Sequence, residues 1–455
     1  MVKLTPMQIY MLLPKTNCGE CGFPTCLAFA FNVASGKANV FACPYLSEEA
    51  KRKLSEALAP PIKLVTIGVG ENAVKIGGER VLHRHEDKFY NPTAIAFALS
   101  DMLSKEELEK RIAAIEDTKF ERLEEILKPD LIAIKASSND PERFAYAVKV
   151  ASENTSLPII LCSFNPRVIE KALKICGSKR PLIYAATREN LDSMAKLAIE
   201  YECPLGLYEP KDLELLAELV KKANNMGVKD LVLDVGFKDL RETLEKLVLL
   251  RRLAIEGKKK EYGYPTIVFP SLSVNETDDL ADFWEITVAS SLMIRYASII
   301  VLNSFKPWRI LPLLILRQGI FRDPRIHPKV KPGLYTIGNV NEYSPCLVTS
   351  NYALTYFTVK SDIEASKIPS YLLVVDTGGL SVASAFAGGK FTAEKIAEAM
   401  KEYRVEGKVK HRTIIIPGLA AKISGKLEEL TGWNVIVGPR DSSELRVFLR
   451  KISTT

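Results

Sequence analysis

The sequence predicts an α/β protein with three parts: a small cysteine-rich N-terminal domain, a (β/α)8 TIM barrel and a small C-terminal doubly wound domain. Three observations predict this fold class. Four of the eight cysteines fall before residue 44, eight apolar runs alternate with amphipathic segments over about 240 residues, and a second alternation follows a proline-marked boundary. A chain of 455 residues has room for about three domains of roughly 150 residues each. We expect domain boundaries at 1–58, 59–325 and 326–455.

The composition excludes several classes of protein. Hydrophobic residues make up 47% and charged residues 26% of the chain, which is ordinary for globular domains and argues against long disorder. The net charge of +7 is spread thinly, so nucleic-acid binding is not expected. The most apolar stretch, 286–302, carries Arg295 and predicts a buried helix and strand rather than a membrane span. Because the N-terminus has no export signal, we expect a soluble cytoplasmic protein.

Clustered cysteines mark the first domain. They are Cys18, Cys21, Cys26 and Cys43, in the spacing C-x2-C-x4-C-x16-C. Such a cluster in a cytoplasmic chain favours a metal site over disulfides. Gly19 and Gly22 permit the sharp turn that thiolates on neighbouring irons require, and Pro44 follows the last ligand, as in ferredoxin-type sites. The asymmetric spacing favours a [4Fe–4S] cluster, while tetrahedral zinc and a cluster without an electron-transfer role remain alternatives.

Two helices and a linker complete this domain. The apolar run 27–34 predicts a helix that carries the chain across the cluster towards Cys43, and 47–58 predicts a charged closing helix. Residues 59–61, Ala-Pro-Pro, form a stiff and extended linker. The four cysteines outside the cluster lie in apolar surroundings and are expected to be small buried residues.

The barrel is predicted from a hairpin followed by alternating strands and helices. Runs 64–69 and 73–76 form the hairpin, which we expect to plug the bottom of the barrel. Predicted strands are 81–83, 131–135, 159–162, 182–186, 205–208, 231–235, 267–269 and 299–302, and predicted helices include 105–127, 141–155, 188–200, 212–226 and 238–253. The β-branched apolar runs suit strands that are buried on both faces.

Polar residues follow several of these strands, at the end where catalytic barrels place their active sites. They are residues 135–140, Asp234, Ser271, Asn303 and Ser304. The alternative interpretation is that they form loops and cap helices. Because they contain no compact acid/base or metal constellation, the barrel is expected to serve mainly as a scaffold and docking surface. His83 and His85 point to one face but lack a third ligand, so no metal is expected there.

A second alternation follows Pro324, Pro328 and Pro332. Predicted strands are 346–348, 372–375, 413–416 and 434–437, and predicted helices are 392–403 and 420–430. Each strand leads into a turn rich in small and polar residues, and ligands of open parallel sheets bind outside these carboxyl ends. The turns match neither a Walker A nor a G-x-G-x-x-G motif, so a nucleotide phosphate is not the expected ligand. A purely structural role for the turns is the alternative.

Four motifs carry a resemblance to a known family. They are NCGECGFPTC at 17–26, TSNYALTYF at 349–357, DTGGLSV at 376–382 and AGGKF at 387–391. With the barrel between them, they resemble, in order and over the entire chain, the large (gamma) subunits of the corrinoid/iron–sulfur proteins of acetyl-CoA decarbonylase/synthase. The N-terminal motif is shared with other redox proteins, whereas the C-terminal motifs make the resemblance specific.

The resemblance implies that the C-terminal domain binds a corrinoid, a cobamide. The residues expected to contact it are Thr349, Ser350, Asn351, Tyr352, Thr355, Thr377, Gly378, Gly379, Leu380, Ser381, Val382, Gly389, Gly418, Gly438, Pro439 and Arg440. The cobalt would accept a methyl group from a methyl-tetrahydropterin, of the tetrahydrofolate or tetrahydromethanopterin type, and pass it to the nickel–iron–sulfur cluster of acetyl-CoA synthase. The implied activity is that of a corrinoid-dependent methyltransferase within a multi-subunit complex. The implied partners are the small (delta) subunit, itself a barrel, and the acetyl-CoA synthase subunit.

A low-potential cluster in the same chain as a cobamide has a chemical purpose. Cob(I)alamin is occasionally oxidised to Co(II), and [4Fe–4S] clusters reach potentials down to about −700 mV, which suffice to restore Co(I). We therefore expect the cluster to reactivate the cofactor rather than to act in each turnover. The alternatives are an iron–sulfur electron carrier without corrinoid, and a barrel methyltransferase that binds the methyl-pterin itself.

The sequence context of the histidines predicts whether one of them binds the cobalt. The chain has four, His83, His85, His327 and His411, and none lies in the Asp-x-His-x-x-Gly motif that commonly supplies a protein ligand to cobalamin. His411 precedes a strand, at the end opposite the proposed rim, and is expected to be exposed. We therefore predict a base-off cobamide without a histidine ligand, with Thr377 among the residues closest to the metal. An axial nitrogen would stabilise Co(II) over Co(I), so its absence eases the reduction.

Overall fold

The computed structural model describes residues 4–35, 37–123, 125–270, 279–303 and 305–453. The chain forms two compact units. The first comprises residues 1–120 and 126–323, and the second comprises residues 121–125 and 324–455. None of the described helices is both long and apolar enough to cross a membrane.

The N-terminal region is helical. Its helices are α1 (Pro6–Leu12), α2 (Cys26–Ala34) and α3 (Glu48–Leu58). Thr5 and Gln8 form a capping box on α1, and the hydroxyl of Thr25 accepts the backbone N–H of Ala28 at the start of α2. Ile9, Phe29 and Leu54, one from each helix, are at most 1% exposed and share one apolar cluster. The predicted helix after Cys26 is confirmed.

The barrel region begins with a hairpin and continues as an alternation of strands and helices. In chain order the elements are β1 (Leu64–Ile67), β2 (Val74–Gly77), β3 (Ala94–Ser100), α4 (Lys105–Asp117), β4 (Phe120–Arg122), β5 (Glu125–Leu127), β6 (Leu131–Lys135), α5 (Pro141–Asn154), β7 (Ile159–Cys162), α6 (Pro166–Cys176), β8 (Leu182–Ala186), α7 (Leu191–Glu200), β9 (Leu205–Tyr208), α8 (Leu213–Met226), β10 (Leu231–Asp234), α9 (Leu240–Ile255), β11 (Ile267–Val268), α10 (Asp279–Ile294), β12 (Ile299–Leu302) and α11 (Pro307–Phe321).

Eight of these strands form a nearly closed parallel barrel. The order in the sheet is β10-β9-β8-β7-β6-β3-β12-β11, which is the order of the chain around a circle. The two end strands meet at a parallel bridge between Leu233 and Thr266, with the Leu233 N–H 2.9 Å from the Pro265 carbonyl. The predicted (β/α)8 barrel is therefore confirmed, since a circular chain order with parallel neighbours is its defining topology.

The hairpin β1–β2 plugs the amino end of the barrel interior, as predicted. Val65, Ile67 and Ile76 are at most 1% exposed and belong to the interior apolar cluster. The same cluster contains the first residues of five barrel strands, which are Ala94, Leu131, Leu182, Ile267 and Ile299. Alternate residues of the strands, such as Ile95 and Phe97, face the surrounding helices instead.

Two predictions about this region are wrong. Residues 81–83 form no strand, and the first barrel strand is β3 at Ala94–Ser100. Four of the seven residues of β3, AIAFALS, are Ala or Leu, which favour helices, and pairing between two strands of the barrel overrides that preference. The helix expected over 105–127 ends at Asp117, and Leu123, with φ of 53°, lies at the turn between β4 and β5.

The C-terminal region is a five-stranded sheet covered on both faces. Its elements are β13 (Gly333–Ile337), β14 (Cys346–Ser350), α12 (Ala353–Ser366), β15 (Ser370–Val375), α13 (Val382–Ala387), α14 (Ala393–Glu402), β16 (Thr413–Ile416), α15 (Ser424–Thr431), β17 (Asn434–Val437) and α16 (Leu445–Ser453). The strand order is β13-β15-β14-β16-β17. All neighbours are parallel except β13, an antiparallel edge strand that the sequence did not predict.

Alternate residues of the central strands enter two apolar clusters, one on each face of this sheet. Val348 and Ile414 pack on the face that carries α13, α14 and α15. Leu347 and Ile415 pack on the face that carries α12 and α16. From β14 the chain moves outward to β15 and then returns past β14 to β16, so the strand order reverses between β14 and β16. That crevice is where doubly wound sheets bind their ligands.

The packing of α5 on the barrel predicts a clear difference between two aromatic residues of that helix. Phe144 is 0% exposed and belongs to the barrel cluster, whereas Tyr146 is 52% exposed. Phe144→Ala should lower the free energy of unfolding of the barrel by about 3–5 kcal/mol, because it leaves a cavity. Tyr146→Ala should change it by less than about 1 kcal/mol. Urea denaturation followed by circular dichroism measures both, and similar shifts for the two variants would contradict this packing.

Candidate functional site

The loop before α2 is shaped for the clustered cysteines. Gly19 and Gly22 have φ of +77° and +85°, and the Gly22 N–H bonds to the Gly19 carbonyl at 2.9 Å, which turns the chain tightly between Cys18 and Cys21. The side-chain oxygen of Asn17 accepts the backbone N–H of Cys26 at 2.8 Å. The loop therefore folds back onto the start of α2 and brings the first three cysteines to one end of that helix.

The fourth cysteine, Cys43, lies near the first three. The hydroxyl of Tyr45 donates to Glu20 at 2.7 Å, which ties the segment after Cys43 to the loop between Cys18 and Cys21. Burial raises the pKa of the Cys43 thiol, and the nearby thiols of Cys21, Cys26 and Cys18 raise it further. The other three thiols thus lie within electrostatic reach of Cys43. Among the described residues, no group of three or more His, Cys, Asp or Glu side chains is arranged to hold a single metal ion.

The other four cysteines are buried, as predicted. They are Cys162, Cys176, Cys203 and Cys346. Burial raises the pKa of each of these thiols to about 12. Such thiols stay protonated near neutral pH and behave as small apolar side chains rather than as metal ligands.

A cavity of about 390 Å³ lies at the carboxyl edge of the C-terminal sheet. It opens beside the place where β14 and β16 pair through Leu347 and Ile415. The helix α12 forms a second wall with Leu354, Thr358 and Val359. The cavity therefore coincides with the reversal of strand order between β14 and β16, and most of its walls are apolar.

The structure divides the sixteen predicted contact residues into two groups. Those that line the cavity are Thr349, Thr355, Ser381, Val382, Gly438, Pro439 and Arg440. Those that do not are Ser350, Asn351, Tyr352, Thr377, Gly378, Gly379, Leu380, Gly389 and Gly418. Sequence reasoning missed the apolar wall from α12, because Leu354 and Thr358 follow the i, i+4 spacing of any helix that packs on a sheet.

Asn351 organises the second group. Its side-chain oxygen accepts the N–H of Thr377 at 3.0 Å, the hydroxyl of Thr377 at 2.9 Å and the N–H of Gly379 at 3.0 Å. Its side-chain NH2 donates to Asp376 at 2.9 Å. The N–H of Gly378 holds the pKa of Asp376 below its usual value, with a further contribution from the Asn351 amide. The loops after β14 and β15 are thus joined by one fully buried amide.

Neighbouring atoms lie so close to two of the glycines that a larger residue would not fit at either position. A Cβ on Gly418 would lie 2.6 Å from the Gly438 carbonyl oxygen, so only glycine lets the loops after β16 and β17 meet. Gly379 has φ of +77°, and a Cβ there would lie 2.9 Å from the Cβ of His327. This places His327 against the loop after β15, a position that sequence reasoning did not anticipate. His411 is half-buried rather than exposed, and its Nε2 lies 3.0 Å from the Ser344 carbonyl at the amino end of β16.

Two buried hydroxyls at this edge have no hydrogen-bond partner among the residues that the structure describes. They are Oγ1 of Thr349, which lines the cavity, and Oγ of Ser350, and both residues are at most 1% exposed. A buried polar group without a partner costs about 1–3 kcal/mol, so native proteins seldom retain one without a function. The hydroxyl of Thr349 is therefore an unsatisfied polar group in a residue that lines the cavity.

The barrel mouth holds a second cavity, of about 880 Å³. Of the polar residues predicted there, Lys135, Ser137, Asn139 and Asp234 line it. Asp140 instead caps α5 by accepting the Glu142 N–H, which confirms the cap interpretation for that residue. Ser271 and Ser304 lie outside the described residues.

Two family models match this chain. The model described as CO dehydrogenase/acetyl-CoA synthase delta subunit matches residues 64–449, and the model described as a putative Fe-S cluster matches residues 13–45. The second range includes all four clustered cysteines. A solved structure of dihydropteroate synthase from Thermus thermophilus aligns with 56% of this chain and 100% of its own, at 17% identity and a TM-score of 0.41.

Two relatives match over their full length. The corrinoid/iron-sulfur protein large subunit of Moorella thermoacetica is 46% identical over 447 residues, or 98% of each chain. The acetyl-CoA decarbonylase/synthase complex subunit gamma of Methanothermobacter thermautotrophicus is 41% identical over 458 residues, or 100% of each chain. The longer family model bears the name of a delta subunit, but it begins after the cysteine-rich region. The matches to the two relatives include that region, so they identify the family of this chain better than the delta-subunit model does.

The buried amide of Asn351 predicts a local and a global effect. Asn351→Ala removes the acceptor of the Thr377 and Gly379 N–H groups and should destabilise the C-terminal region by about 2–4 kcal/mol. Hydrogen exchange of the amides of residues 377 and 379, measured by mass spectrometry, should become much faster. Asn434→Ala, at the exposed start of β17, is the control and should leave both quantities nearly unchanged. Unchanged protection of 377 and 379 in Asn351→Ala would show that the amide does not hold the loop.

Proposed function

This chain belongs to the family of corrinoid/iron–sulfur protein large subunits and acetyl-CoA decarbonylase/synthase gamma subunits, and from that premise we propose that it is a corrinoid/iron–sulfur methyl carrier. The resemblance carried by its motifs is thereby confirmed. We propose residues 1–58 as the cluster domain, 59–325 as the barrel domain and 326–455 as the cobamide-binding domain.

The proposed chemistry comes from the two cofactors. When bound, the cobamide would supply a cobalt that takes a methyl group from a methyl-tetrahydropterin and delivers it to the nickel–iron–sulfur cluster of acetyl-CoA synthase, and the [4Fe–4S] cluster would reduce Co(II) to Co(I). This chain would then act as a corrinoid-dependent methyltransferase within a complex. Its proposed partners are the small (delta) subunit, docked on the barrel, and the acetyl-CoA synthase subunit.

The cavity between β14, β16 and α12 is the observation that carries the cobamide proposal. Its volume of about 390 Å³ suits a planar bicyclic base but is too small for a corrin macrocycle with its side chains. A base-off cobamide has such a base free on its nucleotide tail. We infer that the base enters the apolar cavity, that the Thr349 hydroxyl bonds to the tail, and that the Arg440 guanidinium faces its phosphate.

The corrin ring would then lie over the loops that surround the cavity. The loop 377–382 is held rigid by Asn351, and Thr377 is proposed to be among the residues closest to the cobalt. The hydroxyl oxygen of Thr377 lies 2.9 Å from Asn351 Oδ1 and 2.8 Å from the Leu380 carbonyl oxygen, so its side chain is held in one orientation. We propose a cobalt without an axial side chain because no histidine of this chain lies in a cobalamin-ligand motif.

The thiol arrangement supports a polynuclear cluster over a single zinc ion. Zn–S bonds of about 2.3 Å in a tetrahedron bring the sulfurs to about 3.8 Å from one another. The thiols of Cys21, Cys26 and Cys18 each raise the pKa of the Cys43 thiol, and the family model described as a putative Fe-S cluster covers all four cysteines. A four-iron cluster occupies more space between its thiolates, and the Gly19–Gly22 turn leaves backbone N–H groups free to face its sulfurs.

Cys21→Ala should separate methyl transfer from reactivation. Loss of one thiolate should prevent assembly of the [4Fe–4S] cluster, while the cobamide stays bound because its site lies in the other unit. Methyl transfer from chemically prepared Co(I) should proceed at the parent rate, and reductive rescue of Co(II) should fall at least tenfold. Cys203→Ala, a buried cysteine outside the cluster, is the matched control. A Cys21→Ala protein that turns over as long as the parent under slow oxidation would exclude the proposed role.

Electron paramagnetic resonance of the Co(II) form tests the absence of a histidine ligand. An axial imidazole would split the cobalt signal through its nitrogen nucleus, so the spectrum of the parent should lack this superhyperfine splitting. His327→Ala is the decisive variant, because His327 lies against Gly379 at the proposed rim, and His411→Ala is the control at the opposite end of β16. Nitrogen splitting in the parent that disappears in His327→Ala would overturn the base-off, ligand-free assignment.

A further inference from the structure

A single carboxylate lies within the loop of the clustered cysteines. Glu20 stands between Cys18 and Cys21 in the sequence. It lies at the tip of the tight turn that the two glycines of this loop form. Three other acidic residues precede residue 59, and all of them belong to α3: Glu48, Glu49 and Glu56. Glu20 is therefore the acidic residue of this region that the chain places beside the proposed cluster ligands.

Tyr45 holds this carboxylate in place. Its hydroxyl donates to Glu20 at 2.7 Å, although the two residues are 25 positions apart in the chain. Glu48 and Glu49 each pair with a lysine of α3, at 2.7 and 2.6 Å. In contrast, no Lys or Arg among the described residues pairs with Glu20. The position of the Glu20 carboxylate is thus fixed by a neutral donor, and its negative charge is not compensated.

Tyr45 also contacts the cluster cysteines. Burial raises the pKa of the Cys43 thiol, and the backbone N–H of Tyr45 opposes that rise by bonding to the sulfur. The hydrogen bond to Glu20 raises the pKa of the Tyr45 hydroxyl, and the charges of Cys18 and Cys43 raise it further. The pair formed by Tyr45 and Glu20 therefore lies within electrostatic reach of two of the four thiols.

A fixed negative charge beside an iron–sulfur cluster opposes the reduction of that cluster. Reduction adds one negative charge to a cluster that already carries four thiolates, and net charge, hydrogen bonds to the sulfurs and exposure to solvent set the potential. Glu20 is exposed and Tyr45 is 53% exposed, so water and salt weaken this interaction without removing it. The Glu20 carboxylate would lower the potential, whereas the Tyr45 N–H bonded to Cys43 would raise it.

We propose that Glu20 lowers the reduction potential of the [4Fe–4S] cluster, and that Tyr45 is a positioning residue that holds the carboxylate beside it. This role rests on the proposed function, which assigns a cluster to these cysteines. A lower potential makes the reduced cluster a stronger donor. Its electron then passes more favourably to Co(II), which becomes Co(I) while the cluster is oxidised by one electron. Glu20 thus serves the reactivation of the cofactor rather than the assembly of the cluster.

Redox titration of the full chain under anaerobic conditions, followed by electron paramagnetic resonance of the reduced cluster, tests the role of Glu20. Glu20→Gln should favour reduction of the cluster by about three- to tenfold, which is a rise in midpoint potential of about 30–60 mV for one electron. Glu49→Gln is the matched control, because it removes the same charge from a carboxylate that pairs with Lys53 on α3, and it should have a much smaller effect. Iron content should be the same in all variants.

Salt distinguishes an effect of charge from an effect of altered structure. The screening length falls from about 10 Å at about 0.1 M salt to about 3 Å at about 1 M. Because Glu20 is exposed, the difference in potential between the parent and Glu20→Gln should shrink at the higher concentration. A difference caused by a rearranged loop would persist.

Tyr45→Phe provides a second variant, because it removes the hydroxyl and keeps both the ring and the backbone N–H that bonds to Cys43. It should raise the potential by less than Glu20→Gln does. It should have no further effect when Glu20→Gln is already present, since the hydroxyl acts only through the carboxylate. This variant decides the matter even where Glu20→Gln binds less iron.

The spectrum of the parent distinguishes a failure of this role from a failure of the proposed function. A parent protein without a [4Fe–4S] signal would overturn both. A parent with this signal, and with the same potential as Glu20→Gln, would overturn the role of Glu20 alone. An equal shift in Glu49→Gln, or a shift that is the same at both salt concentrations, would do so too. An undiminished effect of Tyr45→Phe in the Glu20→Gln background would overturn the role of Tyr45.

Discussion

Parallel strand pairing is the constraint from which the cavity of the barrel mouth and the cavity of the C-terminal sheet arise. Parallel neighbours need a crossover, so every helix returns the chain to the same edge, and the loops that follow the strands gather at the opposite edge. In the barrel that edge is the mouth, where Lys135 and Asp234 line the same cavity. In the C-terminal sheet it is the crevice between β14 and β16. The hairpin β1–β2 fills the other end of the barrel interior, so the mouth is left open to ligands.

Buried polar groups of this protein differ in how fully the protein itself satisfies their hydrogen bonds. Asn351 uses both atoms of its amide within the protein, in four bonds that fix two loops. Within the part of the chain that the structure describes, the buried hydroxyl of Thr349, two residues earlier, has no hydrogen-bond partner, and the Asp234 carboxylate accepts one hydrogen bond at each oxygen. A satisfied network stabilises one conformation, whereas an unsatisfied buried group costs stability until a ligand bonds to it.

Much of this architecture follows from local patterns in the sequence. Runs such as Leu231–Asp234 and Ile299–Leu302 are β-branched, apolar and bounded by turn residues, and they are strands in the structure. Strand β3 escaped prediction because its Ala and Leu residues carry the opposite local preference, which only the closure of the barrel overrides. The approach of His327 to Gly379 and the wall that α12 gives the cavity depend on tertiary packing, and no short window of sequence encodes either. The cysteine spacing, in contrast, is a local pattern and could be recognised without the fold.

Under the proposed function, the reduction potential of the cobalt must match that of the iron–sulfur cluster. An axial nitrogen ligand stabilises Co(II) relative to Co(I), so reduction of the cobalt would then require a stronger electron donor. This chain has no histidine in a cobalamin-ligand motif, and the residue proposed nearest the metal, Thr377, has its hydroxyl engaged by Asn351. Four cysteine thiolates in the same chain suit a cluster of low potential. A weaker reductant suffices when the axial position is empty, so a cobamide without an axial side chain would lower the demand on the reduction potential of the cluster.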